Sequence, residues 1–360
     1  MHRSVIRSGA AAVATVGVVL AACGSGDGER SVEDADRGGA DTAEDADAGQ
    51  TPAPTDVDDA AAEAPTIVVT TNVLGDVVGE VVGDAADVVT VMPVGADPHD
   101  FQASAEEVDT LMNADALIVN GAAFEEGLLD VIENAVDDGI PTFEAISVVE
   151  TIEFGESEHA DEDDEHDEDD EHEDGEHDEH DHAGADPHFF TDPMRMIAAV
   201  DGIVDFLQDE LEFVDTAALQ ESADAYVAEL RSLDADVAGL VDAIPDERRV
   251  LVTNHDVFGY FADRYGFEVV GVVVPGGSTT ESVSAGELAE LAEVVVAEAV
   301  PAIFTDNSAS DELATTLADE VGDIAVVTLY TGSLGEADSD GATYLGMVRS
   351  NAERISAALA

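Results

Sequence analysis

The chain contains no lysine, and its 11 basic residues, all arginine, stand against 84 acidic ones in a total of 360 residues. Phosphate binding needs basic patches, so nucleic acid is excluded as a partner. There is one cysteine, Cys23, which excludes an internal disulfide framework and any cysteine-based zinc site. No apolar run reaches the length of a spanning helix. The apolar stretch near the start, residues 9–22, is made of small side chains, shorter than the ~18 strongly apolar residues a membrane span requires. No His-Glu-x-x-His segment occurs, which removes the commonest signature of a hydrolytic zinc site.

The formal net charge is −73. Repulsion of that size opposes compactness at low salt, so the composition suits high ionic strength, where the Debye length is short. Arg3 and Arg7 precede the small-residue stretch, which ends in Leu20-Ala21-Ala22-Cys23. This has the layout of a secretory signal, and its end resembles a bacterial lipobox. The expectation is a signal peptide over residues 1–22 and a lipidated Cys23. The chain is then exported and anchored to the outer face of the cytoplasmic membrane, the periplasmic face if the cell is Gram-negative; the alternative is a chance cysteine. Residues 23–65 are Gly, Asp, Glu, Ala and Thr with little large apolar surface, and read as a flexible acidic tether.

From Thr66 onward, short β-branched runs alternate with helical patterns. Strands are expected near residues 67–70, 88–95 and 116–121, with Asn72 capping the first helix, Ser104 and Glu107 forming a capping box, and a helix near 126–136. Two helices follow, about 193–210 and 216–243, the second with Asp215 as cap and Pro245 as stop. Leu219, Ala223, Tyr226, Leu230, Leu233, Val237 and Leu240 form its apolar stripe. At 1.5 Å per residue it is a rod of about 40 Å, long enough to join two lobes. Strands then recur near 248–254, 268–273, 301–306 and 324–329. Alternation of this kind implies parallel β-α units, with ligands beyond the carboxyl ends of the strands. The expected organisation is a first α/β lobe over 66–192 carrying an inserted loop at 156–184, helices over 193–245, and a second α/β lobe over 246–360.

Ten histidines are unevenly placed, six of them (His159, His166, His172, His177, His180, His182) in one run, SEHADEDDEHDEDDEHEDGEHDEHDH. Imidazole suits Zn²⁺ and its neighbours, and carboxylates attract any divalent cation, so the run points to metal rather than to a merely solvated acidic loop. Its spacing defines no fixed geometry. Three others, His99, His188 and His255, each lie at a strand or helix boundary in a segment rich in Pro, Gly, Asp or Asn. A lone histidine is commonly structural, whereas three facing one cleft match a common zinc ligand set.

The segments MPVGADPHDF, DPHFFTDP and TNHDVFGYFADRYG, in that order, resemble those of the metal-binding solute receptors of ABC transporters, the zinc and manganese cluster that includes the zinc-uptake lipoproteins. The resemblance spans about residue 66 to the C-terminus. It implies an α/β fold of two Rossmann-like lobes with mainly parallel sheets, joined by a long rigid helix, with the metal site in the cleft between them. It implies His99, His188 and His255 as ligands, and an ABC permease as the partner of a monomeric, non-enzymatic receptor. Manganese members carry a carboxylate where His255 stands, and a nitrogen-rich site favours Zn²⁺ as the transported ion, with Mn²⁺ or Fe²⁺ as the alternative. Many members place an acid in the segment matching LYTGSLG, where this chain has Gly332. The fourth ligand is then Asp306 or water. Asp97, Asp186 and Asp256 flank the three histidines as acceptors for the ring N–H or as turn formers, and Asp97 and Asp186, each before proline, are read as turns. Tyr344 and Arg349 are read as structural. The rivals of a different class are a zinc hydrolase, which needs a general base beside the metal, and a structural lipoprotein with no tight site.

Overall fold

The computed structural model describes residues 64–154, 184–211, 215–322 and 324–360. Cys23, the signal and tether segments, and the six histidines of the acidic run lie outside the described residues.

The first lobe runs β1 (Thr66–Val69), α1 (Asn72–Val82), β2 (Asp87–Thr90), α2 (Ala105–Leu111), β3 (Ala116–Val119), α3 (Leu129–Asp137) and β4 (Thr142–Glu144). Its strands are parallel in the order β2-β1-β3-β4. The central strands read TIVV and ALIV, unbroken apolar runs with both faces covered, as parallel sheets require. After α4 (Pro193–Glu210) and α5 (Thr216–Val241) comes the second lobe. It comprises β5 (Val250–Thr253), α6 (Gly259–Tyr265), β6 (Glu268–Val272), α7 (Ala285–Ala297), β7 (Ala302–Asp306), α8 (Glu312–Val321) and β8 (Ala325–Leu329). Its parallel order, β6-β5-β7-β8, repeats that of the first. The chain closes with α9 (Tyr344–Leu359). No helix among the described residues is long and apolar enough to cross a membrane.

Local chemistry explains the helix starts. Ser104 and Glu107 form the expected capping box on α2, and Asp215 accepts from the N–H groups of Ala217 and Ala218 at the start of α5. At α1 the cap is Thr71, not Asn72. Thr71 has the extended backbone a cap requires and its hydroxyl accepts from Leu74 N, whereas Asn72 is already helical and its side chain reaches the other lobe. The helix expected from 126 starts with a short 3₁₀ turn at Glu126–Leu128 before α3.

One hydrophobic core is shared by both lobes. It contains Ile67 and Val69 of β1, Ile203 of α4, Leu230 and Leu233 of α5, Leu251 of β5, Phe304 of β7 and Ile355 of α9. The stripe on α5 is buried as its spacing implies, except that Leu240 is half-buried and Val241 takes the interior place. Smaller clusters cover the outer faces of each sheet, around Leu117 and Leu128 in the first and Ile303 and Leu317 in the second. The lobes are also tied by polar contacts. Asn72 Nδ2 donates to Ser333 Oγ (3.0 Å), Gly95 N donates to the same oxygen (2.7 Å), and Tyr344 OH donates to Phe190 O (2.7 Å). Tyr344 and Arg349, the latter paired with Asp236, are structural.

Candidate metal centre

Three loops at the carboxyl ends of strands bring His99, His188 and His255 together. His99 follows β2 in a loop shaped by two local devices. Gly95 has a φ of 83°, a left-handed conformation that glycine alone adopts freely, and Asp97 Oδ1 accepts from His99 N at 3.1 Å. His188 follows the acidic insertion, and its backbone N–H donates to Asp186 Oδ1 at 2.9 Å. Asn120 Nδ2, at the end of β3, holds Pro187 O at 3.0 Å. His255 follows β5, where Thr253 Oγ1 donates to His255 O at 2.7 Å and Asp256 N donates to Gly276 O at 3.1 Å.

One nitrogen from each ring lies within 4.8 Å of those of the other two, and this is the set of that kind among the described residues. Ring centroids are 5.2 to 5.6 Å apart. The three residues are 5%, 0% and 1% exposed, so the cluster is closed to bulk water. His99 Nε2, His188 Nε2 and His255 Nδ1 are buried without a hydrogen-bond partner. An orphaned buried polar atom costs free energy unless something fills the gap, and one such atom on each ring of a close trio is an arrangement a cation can relieve. Burial, and then the nearby His99, holds His188 well below the ordinary imidazole range. Burial, followed by His188 and His99, does the same for His255. Both are therefore neutral at ordinary pH, the form that binds metal.

Carboxylates stand behind the rings. Asp186 Oδ1 lies 2.7 Å from His188 Nδ1 as well as bonding the backbone, so the residue read as a turn former is both turn and ring partner. Burial pushes its carboxyl up to about 7, against the opposing pull of His188 N–H and Arg195. Glu126 Oε1 lies 3.1 Å from His99 Nδ1. Asp306, at the end of β7, is buried and puts Oδ2 3.9 Å from His255 Nδ1, while its Oδ1 accepts from Ser308 N and Oγ. Asp97 is a turn former, as expected, and its Oδ2 also receives Thr279 Oγ1 of the second lobe at 2.6 Å. At Gly332 a Cβ would meet Pro98 Cδ at 2.8 Å, so the ring of the residue preceding His99 fills the space an acidic side chain would need.

Three residues of the site escape a reading of the sequence. Phe124 packs edge-on against His99 and His188, at 5.0 and 5.3 Å between centroids. Glu125, buried, accepts from Thr70 Oγ1 and Asn120 N at 2.6 Å each, tying the ends of β1 and β3 beneath it, and burial raises its carboxyl. Glu126 is the partner of His99. All three follow a turn in which Ala122 and Ala123 have positive φ, and no spacing marks them.

The match to the family model described as zinc-uptake complex component A, periplasmic, covers residues 67–358. The zinc-binding protein TroA of Treponema pallidum is 32% identical over 299 residues, 82% of this chain and 88% of that one. The manganese-binding lipoprotein MntA of Halalkalibacterium halodurans is 25% identical over 288 residues, 80% of this chain and 86% of that one. The solved structure of the periplasmic zinc-binding protein TroA superposes with a TM-score of 0.69 at 29% identity, covering 82% of this chain and 99% of that one. With its two four-stranded parallel lobes and closed histidine cluster, the chain belongs to the zinc-uptake component A family, the metal-binding substrate receptors of ABC transporters.

Proposed function

We propose that the protein captures Zn²⁺ outside the cytoplasm and hands it to an ABC permease, with His99, His188 and His255 as ligands and Asp306 or water in the fourth position. It is a receptor and not an enzyme, as its family and fold are those of substrate-binding proteins. The observation that carries the reading is the trio of buried imidazoles that bring one ring nitrogen each within 4.8 Å of the others, every ring also having a buried nitrogen without a hydrogen-bond partner. Three nitrogen donors suit Zn²⁺, whereas Mn²⁺ prefers carboxylate and water. The manganese-binding relatives keep Mn²⁺ as the competing reading. Cys23 anchors the exported chain through lipid, and the histidine-rich run acts as a weak collector that raises local Zn²⁺.

Metal content of the purified protein tests the assignment. One tightly held zinc per chain is expected with or without residues 156–182, plus weaker ions only when the run is present. Loss of the tight ion on removing the run would overturn the division of roles. Competition calorimetry tests the choice of ion. Zn²⁺ is expected to displace Mn²⁺, and His255→Glu to shift the preference towards Mn²⁺; an unmoved preference would remove His255 as selector.

A further inference from the structure

Because the three histidines are closed to bulk water, an ion enters or leaves only if something covering them moves. A wide swing of the lobes would break open the core they share, which holds β1, α5 and β5 together. One covering piece stands apart from that core. Residues 275–283, which run from β6 to α7, reach across from the second lobe to the first as a strap.

Both ends of the strap are fixed. At one end Val273 N and Val274 N donate to Thr253 O (2.9 Å) and Asn254 O (2.7 Å), and both valines are buried. At the other, Ser284 and Glu287 form the capping box of α7. The middle is held differently. Gly276 turns with a φ of 94°, and its carbonyl accepts from Asp256 N at 3.1 Å. Beyond it, residues 277–283 form no hydrogen bond between backbone groups among the described residues. Segments with so few internal ties open at low free energy.

Two contacts hold this stretch to the first lobe. Thr279 Oγ1 donates to Asp97 Oδ2 at 2.6 Å. The Phe154 ring lies so close over Gly277 that any side chain at 277 would run into it, and the same ring is 6.4 Å from that of His188. One contact is therefore made on the loop that carries His99, the other beside His188.

We propose that the strap, residues 275–283, is the gate through which the cation enters and leaves, latched by Thr279 on Asp97 and by Gly277 under Phe154, and that it opens while the lobes stay together. The inference deepens the zinc-capture reading and rests on it. A gate differs from a ligand support in what it changes. Loosening the latch raises the open population with and without the ion alike, so capture and release speed up together and affinity is unmoved. A group that orients a ligand shifts affinity instead.

The test uses the full chain with Cys23→Ser, so that added cysteines are the only ones, and Zn²⁺ as the probe. Thr279→Val removes the donor and nearly keeps the shape. A hydrogen bond to a charged group is the stronger kind, so capture of Zn²⁺ and its release to a chelator are expected to rise together about 10-fold at unchanged affinity. Thr279→Ser is expected to match wild type. In the metal-free protein, Thr279→Val should speed deuterium exchange of the 277–283 amides and leave β1 and β5 as they were. Phe154→Cys with Gly277→Cys, joined by a short bis-maleimide, should slow capture and release together. The same linker across Asp236→Cys and Arg349→Cys, which holds α9 on α5, should leave both rates at wild type. Weaker affinity at unchanged rates in Thr279→Val, or rates slowed as strongly by the α5–α9 tie as by the strap tie, would overturn the proposal. A wild-type chain that takes up no zinc would instead overturn the capture reading, and deuterium exchange of the metal-free strap would still report whether Thr279 latches it.

Discussion

Asp186 shows how much one side chain carries when it is buried beside a ligand. Its carboxyl sits near 7 because burial penalises the charge, while the adjacent imidazole of His188 is kept neutral by the same burial. A cation on the far nitrogen of His188 favours the charged carboxylate. Below about 7 the metal-free protein therefore holds a proton on Asp186 that metal binding expels; above it, the carboxylate is already ionised. Calorimetry in buffers of different ionisation enthalpy is expected to show proton release on Zn²⁺ binding that is larger at pH 6 than at pH 8. Asp186→Asn should remove that difference. Equal release at both pH values would mean the proton resides elsewhere.

At the level of elements, α5 decides how the lobes behave. Its buried stripe belongs to the core that also holds β1 of the first sheet and β5 of the second, so the larger interior is common to both lobes and only the smaller outer clusters are private to each. Leu230→Ala removes a fully buried side chain there and is expected to cost about 2–5 kcal/mol. Both lobes should still melt in one transition, and two separated transitions by calorimetry would contradict the shared core. The stripe was legible because a 3.6-residue period survives in a long helix. Strand alternation and the three histidine loops were legible for a similar reason, each being marked by β-branched runs or by Pro, Gly and Asp. What could not be read were elements too short or too irregular to have a period. β4 is three residues, TFE. Glu125 and Glu126 look like any acidic pair in a chain full of them, and only the fold reveals one tying two strands and the other behind His99. Asp186, two residues before His188 and directly before proline, allows a turn or a ring contact and reads first as the turn, whereas in the fold it makes both.

For the molecule as a whole, charge is the dominant quantity. With 84 acids and no lysine, few cations are left to offset repulsion, and several arginines are committed to fixed pairs, Arg264 with Asp234 and Arg195 with Asp192 among them. Added salt shortens the range of the remaining repulsion. The melting temperature of the metal-free protein is expected to rise with NaCl up to molar concentrations, and a flat or falling response would show that net repulsion is not what limits stability.

Either side of the insertion, Glu153 and Ala185 pair in an antiparallel bridge, and Asp186 N donates to Ile152 O at 2.9 Å beside it. Phe154, just before the insertion, lies over Gly277 of the second lobe and 6.4 Å from the His188 ring. The described residues on the two sides of the insertion are therefore held together by bonds that do not depend on the chain between them being continuous. A single proteolytic cut anywhere in residues 156–182 should give two fragments that stay together through a sizing column and still hold the tight ion one to one. Separation of the fragments, or release of that ion, would show that the insertion itself closes the site.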